Sequence, residues 1–248
     1  ESLIERASLI SYRRSSGGFM DILPLGKLVI NNMYQILKSF SELENVQEIS
    51  LSNVQSKDCL QKSGRWNKFE KDILSIEDEN LILSPTHEEY FIDLLKKTGV
   101  SSSRQFPLFA YQFNNVYRKL GHKAHRGGLR TSEILVYEGY GVSKEQDIPL
   151  VMSKFHSIFS NFFNKLSLPL ISHKFNKDFF QFLYETDSGL ENIFCCSNGH
   201  NPDECLCNSE IKQRKIIDLA MVFSNGDNIS KSLEYTIRDS DKFIYPYL

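Results

Sequence analysis

A chain of 248 residues suits one large domain or two small ones, with ample length for a real core. Apolar residues make up 41% and charged residues 24%, the composition of a soluble globular protein. The formal net charge of −2 excludes a global electrostatic pull toward nucleic acid or membrane, so any RNA contact must come from a local basic patch.

No apolar run approaches the roughly 20 residues a membrane helix needs, so no membrane partner is expected. No signal-peptide pattern follows Glu1, which is not a methionine. Four of the five cysteines crowd into "CCSNGHNPDECLC". That crowding is not a secreted disulfide framework and points to a reducing compartment.

In chain order, "RRSSGG" (13–18) predicts a flexible turn. "LPLG" then leads into a helix on which Val29, Met33, Ile36, Leu37 and Phe40 share one face. "VQEISL" reads as a possible strand, and "NLIL" (80–83) as a short buried one. Thr86 stands three residues before Glu89, the spacing of a capping box, and predicts a helix start. Tyr90, Leu94 and Leu95 give that helix its apolar side, and Gly99 ends it. "PLFAYQFNNVYR" (107–118) and "LRTSEILVYEGYGV" (129–142) read as paired strands, with Ile134 and Val136 alternating on one face. Ser143 and Gln146 are spaced to cap a helix whose buried stripe is Val151, Phe155, Ile158, Phe159, Phe162 and Leu166. The remainder alternates short strands with polar loops. Helices against a mostly antiparallel sheet make an α+β architecture, taken as one domain over 1–248.

The loop between the paired strands carries Lys119, His122, Lys123, His125 and Arg126, with Arg118 and Arg130 at its roots. Arginine on a rigid strand can hold a phosphate or carboxylate by two parallel hydrogen bonds. Glycines there let the backbone approach a polyphosphate. A solvated hairpin tip is the plainer reading of the same charges.

Read in order, "GGFMDILPLG", "SGRW", "LSPTHEE", "FPLFAYQFNNVYRK" and "GGLRTSEILVYEGYGVS" resemble the catalytic domain of the prolyl-tRNA synthetase family, class II aminoacyl-tRNA synthetases. The resemblance runs from about residue 10 to about residue 233. It implies a six-stranded antiparallel sheet flanked by helices, a homodimer, and activation of proline by ATP and Mg²⁺ to prolyl-adenylate for transfer to tRNA(Pro). It also implies roles for residues. Thr86 and Glu88 would meet the proline amine, whose two N–H groups suit a hydroxyl and a carboxylate. Arg118 would be the catalytic arginine, gripping the α-phosphate and the substrate carboxylate while negative charge builds during in-line attack. Arg130 would face the ATP tail, and Glu138 would supply a carboxylate on the ATP or metal side.

The family pattern is altered at several positions. Leu120 stands where a glutamate meets the adenine amino group, and Ile134 where an aromatic stacks on adenine. Losing such contacts costs about 1–3 kcal/mol each. Ser52 replaces a proline, Met221 replaces the histidine of a late E-x-G-H-x-F segment, and "KDFF" (177–180) stands for SHEF. The family places its third signature and anticodon-binding domain beyond the position of Leu248, so residues 1–248 alone are expected not to charge tRNA. The interval from Ser143 to Asp218 has no room for the editing insertion of many bacterial members. That compact form is similar to the mitochondrial branch, which implies the mitochondrial matrix, with the cytoplasm as the alternative.

Cys195, Cys196, His200, Cys205 and Cys207 could supply a zinc site, but their spacing is irregular, and a reduced surface loop is the plainer expectation. Two further readings stand beside the enzyme. One is a catalytically inactive paralogue that binds tRNA or a protein partner, favoured by the Leu120, Ile134 and Ser52 changes. The other is a metal-binding module resting on the cysteines alone.

Overall fold

The computed structural model describes residues 2–12, 18–76, 80–120, 131–176, 178–196 and 209–248. The chain divides into two compact units, Glu1–Glu145 with Gly226–Leu248, and Gln146–Asn225. No helix among the described residues is long and apolar enough to cross a membrane.

The first unit opens with α1 (Ser2–Arg6) and an antiparallel pair, β1 (Ile10–Tyr12) and β2 (Met20–Ile22). Helix α2 (Pro24–Leu43) follows, with proline in its first turn, where a missing N–H costs nothing. Of its expected apolar face, Leu37 is buried and Met33, Ile36 and Phe40 are partly buried. Val29 is 45% exposed, with Leu25 and Leu28 beside it at 50% and 55%, so the first half of the stripe is uncovered. Strand β3 (Gln47–Glu48) realises only the front of the "VQEISL" strand. Next come β4 (Val54–Ser56), α3 (Asp58–Lys62), α4 (Trp66–Phe69), β5 (Leu74–Ser75) and β6 (Leu81–Leu83). Strands β4, β6 and β5 form an antiparallel sheet in that order.

Helix α5 spans Glu88–Lys97. It begins without the expected capping box. His87 is the N-cap, with no side-chain cap bond, because the Thr86 hydroxyl and the Glu89 carboxylate both have other partners. Its buried face is also broader than the expected stripe. Phe91 and Ile92 are almost fully enclosed, whereas Leu94 is 36% exposed. Gly99 ends it at φ 77°, the left-handed conformation glycine tolerates.

Strands β7 (Leu108–Tyr117) and β8 (Glu133–Val142) pair antiparallel over ten positions, from Leu108 opposite Val142 to Tyr117 opposite Glu133. Parallel β3 completes that sheet, with Gln47 opposite Ala110. The basic loop residues 121–130 lie outside the described residues.

In the second unit, α6 (Ile148–Lys165) begins later than the Ser143–Gln146 spacing suggests. Asp147 is its N-cap, and the Ser143 hydroxyl donates to the Lys144 carbonyl instead. Of its expected stripe, Val151, Phe155, Ile158 and Phe162 are buried, Phe159 is only partly buried and Leu166 is the C-cap, also partly buried; Met152 and Phe163 join the buried face. Strands β9 (Leu170–Asn176), β10 (Phe179–Glu185), β11 (Glu191–Cys195) and β12 (Lys212–Phe223) form an antiparallel sheet ordered β11-β12-β10-β9. Phe182 lies 5.8 Å from Phe159 and 5.5 Å from Phe163, ring centre to ring centre, which ties α6 to the sheet.

The chain returns to the first unit as α7 (Asn228–Ser232), β13 (Ile237–Asp239) and β14 (Lys242–Ile244). The first unit's core gathers Leu60, Ile82, Phe91, Ile92, Val142 and Ile237. Phe91 stacks on Tyr140 at 4.5 Å, which binds α5 to β8. The expected α+β order is present, and among the described residues every ladder is antiparallel except β3 on β7. The single six-stranded sheet implied by resemblance is not seen among the described residues, whose larger sheets have four, three and three strands.

Candidate active site

Between β6 and α5, the segment Ser84 to His87 is buried without regular structure. Buried backbone outside a ladder needs other partners. The Ser84 N–H donates to the Asn53 carbonyl at 2.9 Å, and the Ser84 carbonyl accepts from the Tyr117 N–H at 2.8 Å. Arg118, just past β7, donates from Nε and Nη2 to the Pro85 carbonyl at 3.1 and 3.0 Å. Its Nη1 has no hydrogen-bond partner among the described residues. The guanidinium lies over the Phe69 ring at 5.6 Å, where the Arg65 guanidinium also lies at 5.4 Å.

Thr86 is buried, and its hydroxyl donates to Glu88 Oε2. Arg65 Nη1 donates to the same oxygen at 2.9 Å. Glu88 Oε1 has no partner among the described residues. With its O–H engaged by Glu88, the Thr86 oxygen keeps its lone pairs for an incoming donor. Glu89 is fully buried. Its Oε1 accepts from Ser63 at 2.9 Å and from Arg65 at 3.1 Å. Burial pushes its carboxyl above the usual range, against the opposing pull of Arg65.

A second polar cluster adjoins this one through His87. Its Nδ1 is 2.8 Å from Glu138 Oε2. That oxygen also accepts from Gln112 at 2.9 Å and from Tyr140 at 3.2 Å. Gln112 is anchored in turn by the Leu51 N–H at 2.9 Å. Burial first, and Glu138 second, raise the Tyr140 phenol well above its ordinary value.

The structure therefore brings Thr86, Glu88 and Arg118 together around the Pro85–Glu88 turn. Glu138 is tied to the same turn through His87, with one oxygen committed to three neighbours. Arg130 lies outside the described residues, as do His122, Lys123, His125 and Arg126 of the basic loop. Leu120 and Ile134 are both partly buried, and Ile134 pairs opposite Val116. Ser52 makes a local turn in which its hydroxyl bonds Val54 at both N–H and carbonyl. In the second unit, Met221 on β12 pairs opposite Gln181 and is 47% exposed. "KDFF" contributes Phe179 and Phe180 to β10.

Cys195 and Cys196 are buried, and His200, Cys205 and Cys207 lie outside the described residues. Among the described residues no cluster of three or more His, Cys, Asp or Glu is placed to hold a metal ion. The described side chains alone thus form no seat for Mg²⁺.

Sequence reasoning gave no role to Ser63, Arg65, His87 or Gln112, and to Glu89 only that of a helix cap. One signal for Arg65 was available. Two adjacent glutamates at the start of a buried helix need a counter-charge, and "SGRW" carries the arginine.

Residues 68–245 match the family described as tRNA synthetase class II core domain (G, H, P, S and T). Among curated relatives, the chain is similar to the proline--tRNA ligase of Nautilia profundicola, 28% identical over 218 residues, covering 82% of this chain and 36% of that protein. The proline--tRNA ligase of Thermoanaerobacter sp. (strain X514) is 25% identical and covers 98% of this chain and 44% of that protein. The chain thus spans less than half the length of these relatives. Among solved structures, Giardia lamblia prolyl-tRNA synthetase in complex with prolyl-adenylate superposes with a TM-score of 0.73 at 16% identity, covering 99% of this chain and 48% of that one. At that identity the likeness carries the fold.

Proposed function

Because the chain belongs to the class II tRNA synthetase core-domain family (G, H, P, S and T), we propose that it serves a proline--tRNA ligase, activating proline with ATP for transfer to tRNA(Pro). The observation that carries this reading is the start of α5. Thr86 offers oxygen lone pairs, and Glu88 offers an open Oε1 beside it. A secondary ammonium has two N–H donors, and these are two adjacent acceptors for them.

In this reading Arg118 faces the reacting groups. Two of its donors fix it to the Pro85 carbonyl, so the guanidinium is oriented before any ligand arrives. An oriented cation beside the α-phosphate neutralises charge that grows in the transition state without reorganising at that moment. ATP supplies the phosphoanhydride that the substrate carboxylate attacks. The chain's part is to hold the two anions in line.

Homodimerisation and a mitochondrial location belong to the proposal. Exposed Leu25, Leu28 and Val29 on α2 are apolar surface that a dimer would cover. The short interval after Ser143 supports the location. The inactive paralogue remains the second reading, favoured by Ile134, which places no ring where the family stacks one on adenine.

Amino-acid-dependent exchange of pyrophosphate with ATP, measured on the protein at its full natural length, tests the activity. Proline alone should stimulate exchange, and Arg118→Lys should lower the rate at least tenfold. Exchange that is independent of proline, or an Arg118→Lys rate within about threefold of wild type (less than 1 kcal/mol), would contradict the assignment.

A further inference from the structure

We infer that Arg65 is a positioning residue for the substrate's amine, holding the Glu88 carboxylate in place by bridging it to the buried side chain of Glu89. The inference rests on the reading of Glu88 as an amine contact and extends it to a residue that touches no substrate.

The geometry is that of a clamp. One nitrogen, Arg65 Nη1, lies 2.9 Å from Glu88 Oε2 and 3.1 Å from Glu89 Oε1. Glu88 and Glu89 are neighbours in the first turn of α5, where the helix N-terminus favours negative charge but the two carboxylates repel each other. A shared guanidinium removes that repulsion and fixes both side chains. Glu88 is 17% exposed and its side chain has three torsions, so without a partner it has other rotamers open to it. Pinning Oε2 leaves Oε1 as the oxygen free to receive a ligand.

Arg65 is itself held from several sides. Its guanidinium lies over the Phe69 ring. Glu89 cannot move away, because it is fully buried and Ser63 donates to the same oxygen at 2.9 Å. Ser63 and Arg65 belong to one turn, in which Ser63 Oγ also accepts from the Arg65 N–H at 3.3 Å. Gly64 between them has φ 73°, which a side chain would strain. Ser-Gly-Arg thus presents a hydroxyl and a guanidinium to Glu89 together, and the guanidinium reaches on to Glu88. An arginine that served only to satisfy Glu89 would not need to touch its less buried neighbour Glu88.

Two ligands separate positioning from general support of the fold. One is the uncleavable prolyl-sulfamoyl adenosine. The other is its oxolane counterpart, with ring oxygen in place of the amine. In calorimetric titrations of the full protein, Arg65→Met should weaken the prolyl ligand at least tenfold and leave the oxolane ligand within twofold. Arg65→Lys, a point charge on a flexible stem, should give an intermediate loss confined to the prolyl ligand. Should Arg65→Met fail to fold, the lysine variant decides by the same comparison. Equal weakening of both ligands, or no weakening of either, overturns the inference. Glu88→Gln is the control for the underlying reading. If it leaves the preference for the prolyl ligand intact, Glu88 is not the amine contact and both claims fall. If it abolishes that preference while the Arg65 variants do not, only the role of Arg65 falls.

Discussion

Glu88 and Glu89 are the same residue type one position apart, and their surroundings give them different work. Glu88 keeps an open oxygen at a partly exposed turn. Glu89 is enclosed, receives Ser63 and Arg65 on Oε1, and has a buried, unpartnered Oε2 among the described residues. Its carboxyl is pushed up from an ordinary 4.5, chiefly by burial. A carboxyl raised in the folded state contributes stability that is fully present below the unfolded value and is lost as pH rises through the folded one. Wild type should therefore lose thermal stability on this account as pH climbs from about 4.5, and Glu89→Gln should flatten that part of the curve. Melting temperatures of the two proteins that run parallel from about pH 4 to pH 8 would contradict a raised Glu89. The grouping of Thr86, Glu88 and Arg118 about one turn was legible in the sequence because each stands in a short, ordered motif. The Thr86–Glu89 cap was misread for a physical reason. A buried carboxylate beside a guanidinium takes the charged partner over a backbone N–H. Arg65 went unassigned because its partners lie 23 and 24 residues away, where spacing carries no information.

At the scale of elements, periodicity located α2, α5, α6, β7 and β8, and capping spacing misplaced the start of α6. Position within a helix also hides close approaches that only packing reveals. Gly26 sits in the first turns of α2, where helix propensity favours alanine by about 1 kcal/mol. A Cβ there would lie 2.0 Å from the Leu9 carbonyl oxygen, a backbone atom that also accepts from the Leu23 N–H at 2.9 Å. The backbone cannot yield without losing that bond, so the clash outweighs the propensity. Gly26→Ala should lower stability by roughly 1–3 kcal/mol, read as a drop in the urea midpoint at unchanged slope. A rise in the midpoint would show that α2 does not pack against Leu9 as described.

The whole molecule has a division that its sequence did not announce. The described residues of 146–225 form one helix on four strands, with no linker-like composition at either border of the unit. Patterning reports which face of an element is buried, not which unit buries it. The family, by contrast, was legible because its motifs keep their order along the chain, and the match over residues 68–245 bears that out. Across the molecule, the Pro85–Glu88 turn carries a hydroxyl, a carboxylate and an arginine, whereas Leu120 and Ile134 stand where the resemblance places groups around adenine. The account therefore predicts a protein that recognises the aminoacyl end of its ligand better than the base. Calorimetry on one preparation, titrated in turn with prolyl-sulfamoyl adenosine and with ATP alone, tests this most directly. The analogue should bind at least tenfold more tightly than ATP. Tight binding of ATP with no detectable response to the analogue would contradict the assignment of the Thr86–Glu88 turn as the proline site.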